Sequence, residues 1–146
     1  MSDYWSAVEP VWDAINIYEG PEIFLQTFSA TPIVARLMFA AHFCQSEVCN
    51  GGFKQFFWNS TGVLAPEAVE GFRAIGQLDS AALVESAMDQ IGTPYPRDRE
   101  MRQERLSRIP EDALDSLDER FIALIETEAG GFEQAASRYV QRMSHQ

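Results

Sequence analysis

The chain has 146 residues, 46% of them hydrophobic, and a formal net charge of −11 from 22 acidic and 11 basic residues. That is one domain's worth of chain, with enough apolar content for a sizeable core. The acidic balance excludes charge-driven binding to nucleic acid or anionic membrane, and it directs any electrostatically steered partner towards a basic protein, such as one that normally binds DNA.

Apolar residues recur at helical rather than alternating spacing. Trp5, Val8, Val11, Trp12 and Ile15 form one stripe with Glu9 and Asp13 off it. Pro10 stands in the first turn of this helix or kinks it. Gly20-Pro21 ends it, and Glu22 to Phe28 reads as a short helix. Thr31-Pro32 has the chemistry to start the next one. That helix runs to about Val48 and is apolar nearly all round, which places it at the domain centre.

The stretch Glu47 to Asn59 follows, and it is the most informative part of the chain. Gly51 and Gly52 suit the left-handed residue that closes a helix, and Asn50 tolerates that geometry. Phe53, Phe56 and Phe57 recur at helical spacing, so a short second helix is expected to bury them together. Glu47 is placed to accept from the exposed N–H groups where that helix starts. The segment therefore reads as a helix–turn–helix corner pinned by aromatics.

Beyond the corner, Ser60-Thr61-Gly62 reads as a loop, and Pro66 opens a helix to about Gly76. Asp79-Ser80 is expected to cap a helix that buries Leu83, Ala87 and Ile91 and stops at Gly92. Thr93-Pro94-Tyr95-Pro96 is the clearest loop and the best candidate for an inserted or mobile segment. Arg97 to Arg108 looks like a polar surface helix laced with both charge signs. Pro110 is expected to start a helix with Leu114, Leu117, Phe121, Leu124 and Ile125 inside. Gly130-Gly131 breaks it before a last helix carrying Phe132, Ala136, Tyr139, Val140 and Met143. The expectation is one all-α domain over residues 1–146, about seven to nine helices around a buried central helix.

The pattern E-x-x-N-G-G-F-x-Q-F-F-x-N, carried by Glu47, Asn50, Gly51, Gly52, Phe53, Gln55, Phe56 and Asn59, resembles the signature of a bacterial domain family of unknown function. That family includes an acidic DNA mimic of the DMP type. Weaker likeness runs through Ala74-Ile75-Gly76, Leu117 to Phe121 and Tyr139, so the similar region is about residues 30–143. The resemblance implies an all-α, cytoplasmic, non-catalytic domain and supplies no catalytic positions.

Charge is unevenly placed. Residues 1–35 hold Asp3, Glu9, Asp13, Glu19 and Glu22 with no base, and residues 109–128 hold seven carboxylates against Arg120. Between them, Arg97, Arg99, Arg102, Arg105 and Arg108 are interleaved with Asp98, Glu100 and Glu104, an arrangement that suits internal or intersubunit salt bridges. On a continuous helix, the carboxylates from Glu111 to Glu128 would fall about 4 Å apart along the axis. A DNA strand presents a phosphate about every 3.4 Å. A solvated acidic face is the plain reading of such a run, and a partner-binding face is the sharper one. The sharper reading uses Glu111, Asp115, Asp118 and Glu119, with Glu9 and Asp13 as a second patch.

Catalytic and metal signals are weak. His42, Cys44 and Cys49 do not supply the four ligands at the spacing that a zinc site wants, so His42 reads as a hydrogen-bonded core histidine and no metal or cofactor is expected. His145 falls in what reads as a frayed tail. There is no G-x-S-x-G, G-x-G-x-x-G or P-loop. The two cysteines face different sides of a helix, which speaks against a disulfide, and reduced thiols suit the cytoplasm. Met1 to Trp5 lacks the pattern of a signal peptide, and the most apolar stretch, Ile33 to Cys44, is too short to cross a bilayer.

Two functions follow as expectations. The first is an acidic domain that occupies the DNA-binding surface of a basic protein, with an immunity-type inhibitor of a basic toxin as its variant. The second is a ligand-binding or catalytic domain built on a pocket at the Asn50–Asn59 corner, where Glu47, Asn50, Gln55 and Asn59 either converge on a ligand or satisfy the backbone. Tyr4, Trp5 and Tyr95 are the aromatics that would mark a homodimer face.

Overall fold

The computed structural model describes residues 3–144, and His145 lies outside them. The described residues form eight α-helices with three short 3-10 segments and no strand. Helix α1 (Trp5–Val8) is a single turn that passes into a 3-10 segment at Glu9–Val11. The apolar stripe is therefore not one continuous helix. Pro10 lies in the first turn of the 3-10 segment, where its missing N–H costs nothing. Val8, Val11 and Ile15 are nevertheless all buried.

Helix α2 spans Pro21–Ser29, and α3 spans Ile33–Trp58 with a kink at Gly51 and Gly52. Then come α4 (Ala65–Ala74), α5 (Leu78–Ile91), α6 (Arg99–Arg108), α7 (Asp115–Ile125) and α8 (Phe132–Ser144). Helix α3 is the axis of the domain, packed against α1, α4, α6, α7 and α8. Its Met38, Ala40, Ala41, Cys44 and Val48 are completely buried, as the all-round apolar pattern requires. Close approach of α4 depends on Gly71. A Cβ there would sit 2.6 Å from the Leu37 carbonyl oxygen.

Tertiary contacts move several helix ends from where local sequence puts them. The 110–114 stretch forms turns, and α7 begins only at Asp115. Helix α5 is capped from outside rather than by Asp79-Ser80. Glu128 Oε2 accepts from the Asp79 N–H at 2.7 Å, and Oε1 accepts from the Ser80 N–H at 2.9 Å. Ser60 to Leu64 is a 3-10 segment with Thr61 to Leu64 buried, not an open loop.

The Thr93–Pro96 stretch is anchored to that segment rather than set apart as an insertion. Tyr95 donates to the Gly62 carbonyl at 2.7 Å and packs on Phe57. The next side chain, Arg97, donates to the Val63 carbonyl and forms a two-pronged pair with Glu67 at 2.9 and 2.7 Å. Tyr4 and Trp5 also turn inward. Tyr4 hydroxyl and His42 Nδ1 lie 2.8 Å apart, and the Tyr4 and Trp5 rings both pack against the His42 ring. None of the three aromatics expected at a dimer face is fully exposed.

Helix α6 departs most from its sequence reading. Arg108 pairs with Glu104, as expected of a charge-laced helix. Arg102, however, is fully buried and has no carboxylate partner among the described residues. Its Nε donates to the Phe57 carbonyl at 2.9 Å, its Nη2 to the Asn59 carbonyl at 2.8 Å, and its Nη1 to the Arg97 carbonyl. Arg99 and Gln103 both donate to the Trp58 carbonyl at 3.0 Å. The carbonyls at the end of α3 thus receive a cation where the helix dipole favours one. Gly62 makes room for it, since a Cβ there would meet Arg102 Nε at 2.6 Å and the Phe56 carbonyl oxygen at 2.8 Å.

Replacing Arg102 with Met should keep most of the volume but leave three carbonyls without their donor. The expected loss is about 2–5 kcal/mol, because each buried polar group left unsatisfied costs about 1–3 kcal/mol. Arg102→Lys should be destabilised nearly as much, because an ammonium cannot span the same three oxygens. Urea unfolding of both variants checks this, and a midpoint for Arg102→Met equal to the parent's would remove the capping role.

Candidate functional site

The corner at Gly51 and Gly52 organises the surface around it. Gly52 has φ 79° and ψ 177°, a conformation available to glycine and strained for other residues. The chain turns there without a loop, and a new helical stretch begins at Phe53. Phe53, Phe56 and Phe57 are completely buried, and Phe121 of α7 meets Phe53 edge-on at 5.4 Å.

The carboxylate that receives the first amide of this stretch is Asp118 of α7, not Glu47. The Phe53 N–H donates to Asp118 Oδ1 at 2.7 Å. Burial pushes the Asp118 carboxyl above its usual value, against the opposing pull of the Phe53 bond, and the neighbouring Asp115 adds to the rise. Glu47 takes a different part. Its Oε2 accepts from Gln55 Nε2 at 2.8 Å and from Asn59 Nδ2 at 3.0 Å, while Asn50 donates to Gln55 Oε1 at 3.3 Å. The four polar residues of the corner do converge, and they bind one another. Beside them lies an open depression of about 520 Å³, lined by Glu47, Asn50, Gln55 and Cys49 among others.

The acidic residues of the 109–128 stretch divide by direction. Asp118 and Glu128 turn inward as helix caps. Glu111, Asp112, Asp115, Glu119 and Glu126 are exposed, and none has a salt-bridge partner among the described residues. Because α7 covers only Asp115–Ile125, the seven carboxylates do not form one evenly spaced helical row. Asp115 lies in the first turn of α7, where the helix dipole stabilises an anion by about 0.3–1 kcal/mol. Asp115 and Glu119 share one face at i,i+4, which costs a few tenths of a kcal/mol in like-charge repulsion.

Glu111, Asp115 and Asp118 come together along a groove of about 430 Å³ between the α3 corner, the end of α6 and the turn after it. Glu119 lies outside its lining. Glu9 and Asp13 are exposed on the N-terminal segment, where Asp13 lines a separate hollow of about 230 Å³ beside Trp12 and Tyr18. The sequence reading missed the groove's other lining residues, above all Lys54 and Trp58. A signal for Trp58 was present: it follows Phe57 off the buried Phe53–Phe56–Phe57 face, so its ring should point outward.

No group of three or more His, Cys, Asp or Glu side chains among the described residues is arranged to hold a metal ion. His42 is hydrogen-bonded and partly buried, and its pKa is lowered by that burial. Cys44 and Cys49 are both free thiols. No helix among the described residues is long and apolar enough to cross a membrane.

The described residues thus form an acidic all-α domain with a glycine corner in its central helix. Over residues 29–143 the chain matches a family model described as DMP19-like protein, and it belongs to that family. Comparison with curated proteins and with solved structures finds no match.

The corner separates two kinds of substitution. Gly52→Val should lose about 2–4 kcal/mol, from backbone strain and from collision with Asp118, whose Oδ2 would lie 2.6 Å from the new Cβ. Gly51 has φ −147°, outside the left-handed region, and the nearest atoms to a Cβ there belong to the Gln55 side chain, whose amide can swing aside, so Gly51→Val should lose less. Neutralising Glu111 and Asp115 together should change stability by only tenths of a kcal/mol. Parallel thermal melts decide the order, and a Gly52→Val melting temperature equal to the parent's would show that the corner is no hinge.

Asp118 carries a pH signature. Its folded pKa is raised, so between the ordinary aspartate value and the folded value the native state holds more proton than the unfolded chain. Its contribution to stability therefore falls as pH rises through that window. Asp118→Asn, which keeps an acceptor for Phe53, should remove this slope, whereas Asp118→Ala should lose the cap and about 1 kcal/mol. Denaturant melts across pH 4–7 test it. A parent stability that rises relative to Asp118→Asn over the window would show that the backbone bond outweighs burial.

Proposed function

We propose that this chain is a non-catalytic, acidic protein-binding domain that occupies the basic, DNA-binding surface of another protein. One observation carries the reading. The carboxylates left over after internal capping, Glu111, Asp112, Asp115, Glu119 and Glu126, are exposed on one stretch and lack basic partners among the described residues. By contrast, Glu67, Glu85 and Glu104 each engage an arginine. Unneutralised charge of one sign raises the local concentration of a partner of the other sign and speeds encounter.

Membership of the DMP19-like family fits this reading, as does the resemblance to a family that includes a DNA mimic. The phosphate-like feature is a surface density of charge rather than a regular helical row. An inhibitor of a basic toxin would use the same electrostatics. The rival reading, a ligand pocket at the corner, has less to work with, because Glu47, Asn50, Gln55 and Asn59 are bonded to one another.

The test is capture followed by competition. The chain, immobilised at low salt, should retain a basic protein that high salt releases. That protein, once purified, should lose its DNA when the chain is added. Converting Glu111, Asp115 and Glu119 to Gln, Asn and Gln should weaken the complex by about tenfold and flatten its salt dependence. A triple variant that binds as tightly as the parent, with an unchanged salt slope, would remove this face from the interface.

A further inference from the structure

The groove at the α3 corner has a composition that a plain acidic surface does not need. Its apolar lining comes from Trp58, Leu106, Ile109 and Leu114, and its charged lining from Glu111, Asp115 and Asp118, with Lys54 the one basic residue among them. Leu106 and Leu114 are buried, so the hollow opens onto the edge of the core, whereas Trp58 is 47% exposed. The backbone of Trp58 is anchored by Arg99 and Gln103, which both donate to its carbonyl. A half-exposed indole on an anchored stretch thus lines the same hollow as three carboxylates. A volume of about 430 Å³ falls within the range of sites that enclose a small ligand or a side chain.

We propose that this groove receives an arginine side chain from a basic segment of a partner protein. The methylene stem would lie along Leu106, Ile109 and Leu114, and the guanidinium would meet Glu111 and Asp115 while stacking on Trp58. A guanidinium is planar, weakly hydrated and able to bind carboxylates with two parallel bonds, so it satisfies an aromatic face and an acidic rim together. A lysine ammonium is more strongly hydrated and gains less from the indole. Lys54 is exposed and has no salt-bridge partner among the described residues, and as the groove's own cation it opposes the incoming charge. The hollow beside Trp12 is the weaker candidate, being about 230 Å³ with Asp13 as its one acid.

The proposal rests on the reading of the chain as a binder of basic proteins, and one titration separates the two. Nona-arginine and nona-lysine peptides are added at low salt to ¹⁵N-labelled protein, and the Trp58 indole N–H is followed with the amides of Ile109, of residues 111–115 and of Glu9 and Asp13. The expected result is saturable shifts at Trp58, Ile109 and residues 111–115, with nona-arginine several-fold tighter than nona-lysine. Glu111→Gln with Asp115→Asn should weaken nona-arginine by about fivefold or more, while Lys54→Gln should tighten it by about twofold to threefold. Trp58→Ala should erase most of the preference for arginine.

Shifts confined to Glu9 and Asp13, or spread over the acidic surface with Trp58 unmoved, would overturn the groove while leaving the basic-partner reading intact. Equal affinity for the two peptides would overturn the guanidinium assignment, and so would a Lys54→Gln variant that binds more weakly. Absence of any shift at low salt would overturn both proposals together.

Discussion

Phe53 to Trp58 is a helical stretch too short to hold itself, and the domain is arranged to hold it. An isolated helix of fewer than about twelve residues is marginal in water, because nucleation costs more than so few hydrogen bonds return. Here both ends are closed from elsewhere in the chain. Asp118 of α7 takes the Phe53 amide, and Arg102 of α6 takes the Phe57 and Asn59 carbonyls. An anion at the start and a cation at the end both follow the sense of the helix dipole. Three rings are buried as a result, each contributing about 1.5–3 kcal/mol. Since α6 and α7 are docked through these same bonds, the capped stretch also sets where the acidic surface lies.

Much of the frame is legible in the sequence because it depends on local chemistry. The all-round apolar run after Thr31 becomes the buried α3 axis, and the Gly51-Gly52 pair marks the kink within it. Phe53, Phe56 and Phe57 share one buried face, as their spacing requires. What stays hidden are the caps that come from a distance. Asp118 lies 65 residues from Phe53, and Glu128 lies 48 from Ser80. Nothing in a run of acids says which carboxylate turns inward. Arg102 alone left a trace: it stands four residues before the buried Leu106, on the one apolar face of an otherwise charged helix.

The same division explains why net charge is a poor guide to this surface. The acids of the 109–128 stretch look equivalent in sequence, yet Asp118 and Glu128 satisfy amides at helix starts while their neighbours face solvent. Capping fixes the direction of α7, and that direction brings Glu111 and Asp115 to the rim of a groove whose inner side is apolar. Asp118 belongs to both the cap and the groove lining. Internal architecture and external charge therefore meet at one carboxylate.

That meeting point bears on how freely the outer charge can vary. Repulsion between exposed carboxylates such as Asp115 and Glu119 costs a few tenths of a kcal/mol. The capped, aromatic-packed corner contributes several times more. A fold held in this way can carry excess negative charge on α7 and its preceding turn with little loss of stability, and can gain or lose that charge without rearranging its core. Asp118 is the exception, because changing it alters the start of the Phe53 stretch as well as the groove. The outer acids are thus not needed by the fold, while the inner ones are set by the backbone they hold.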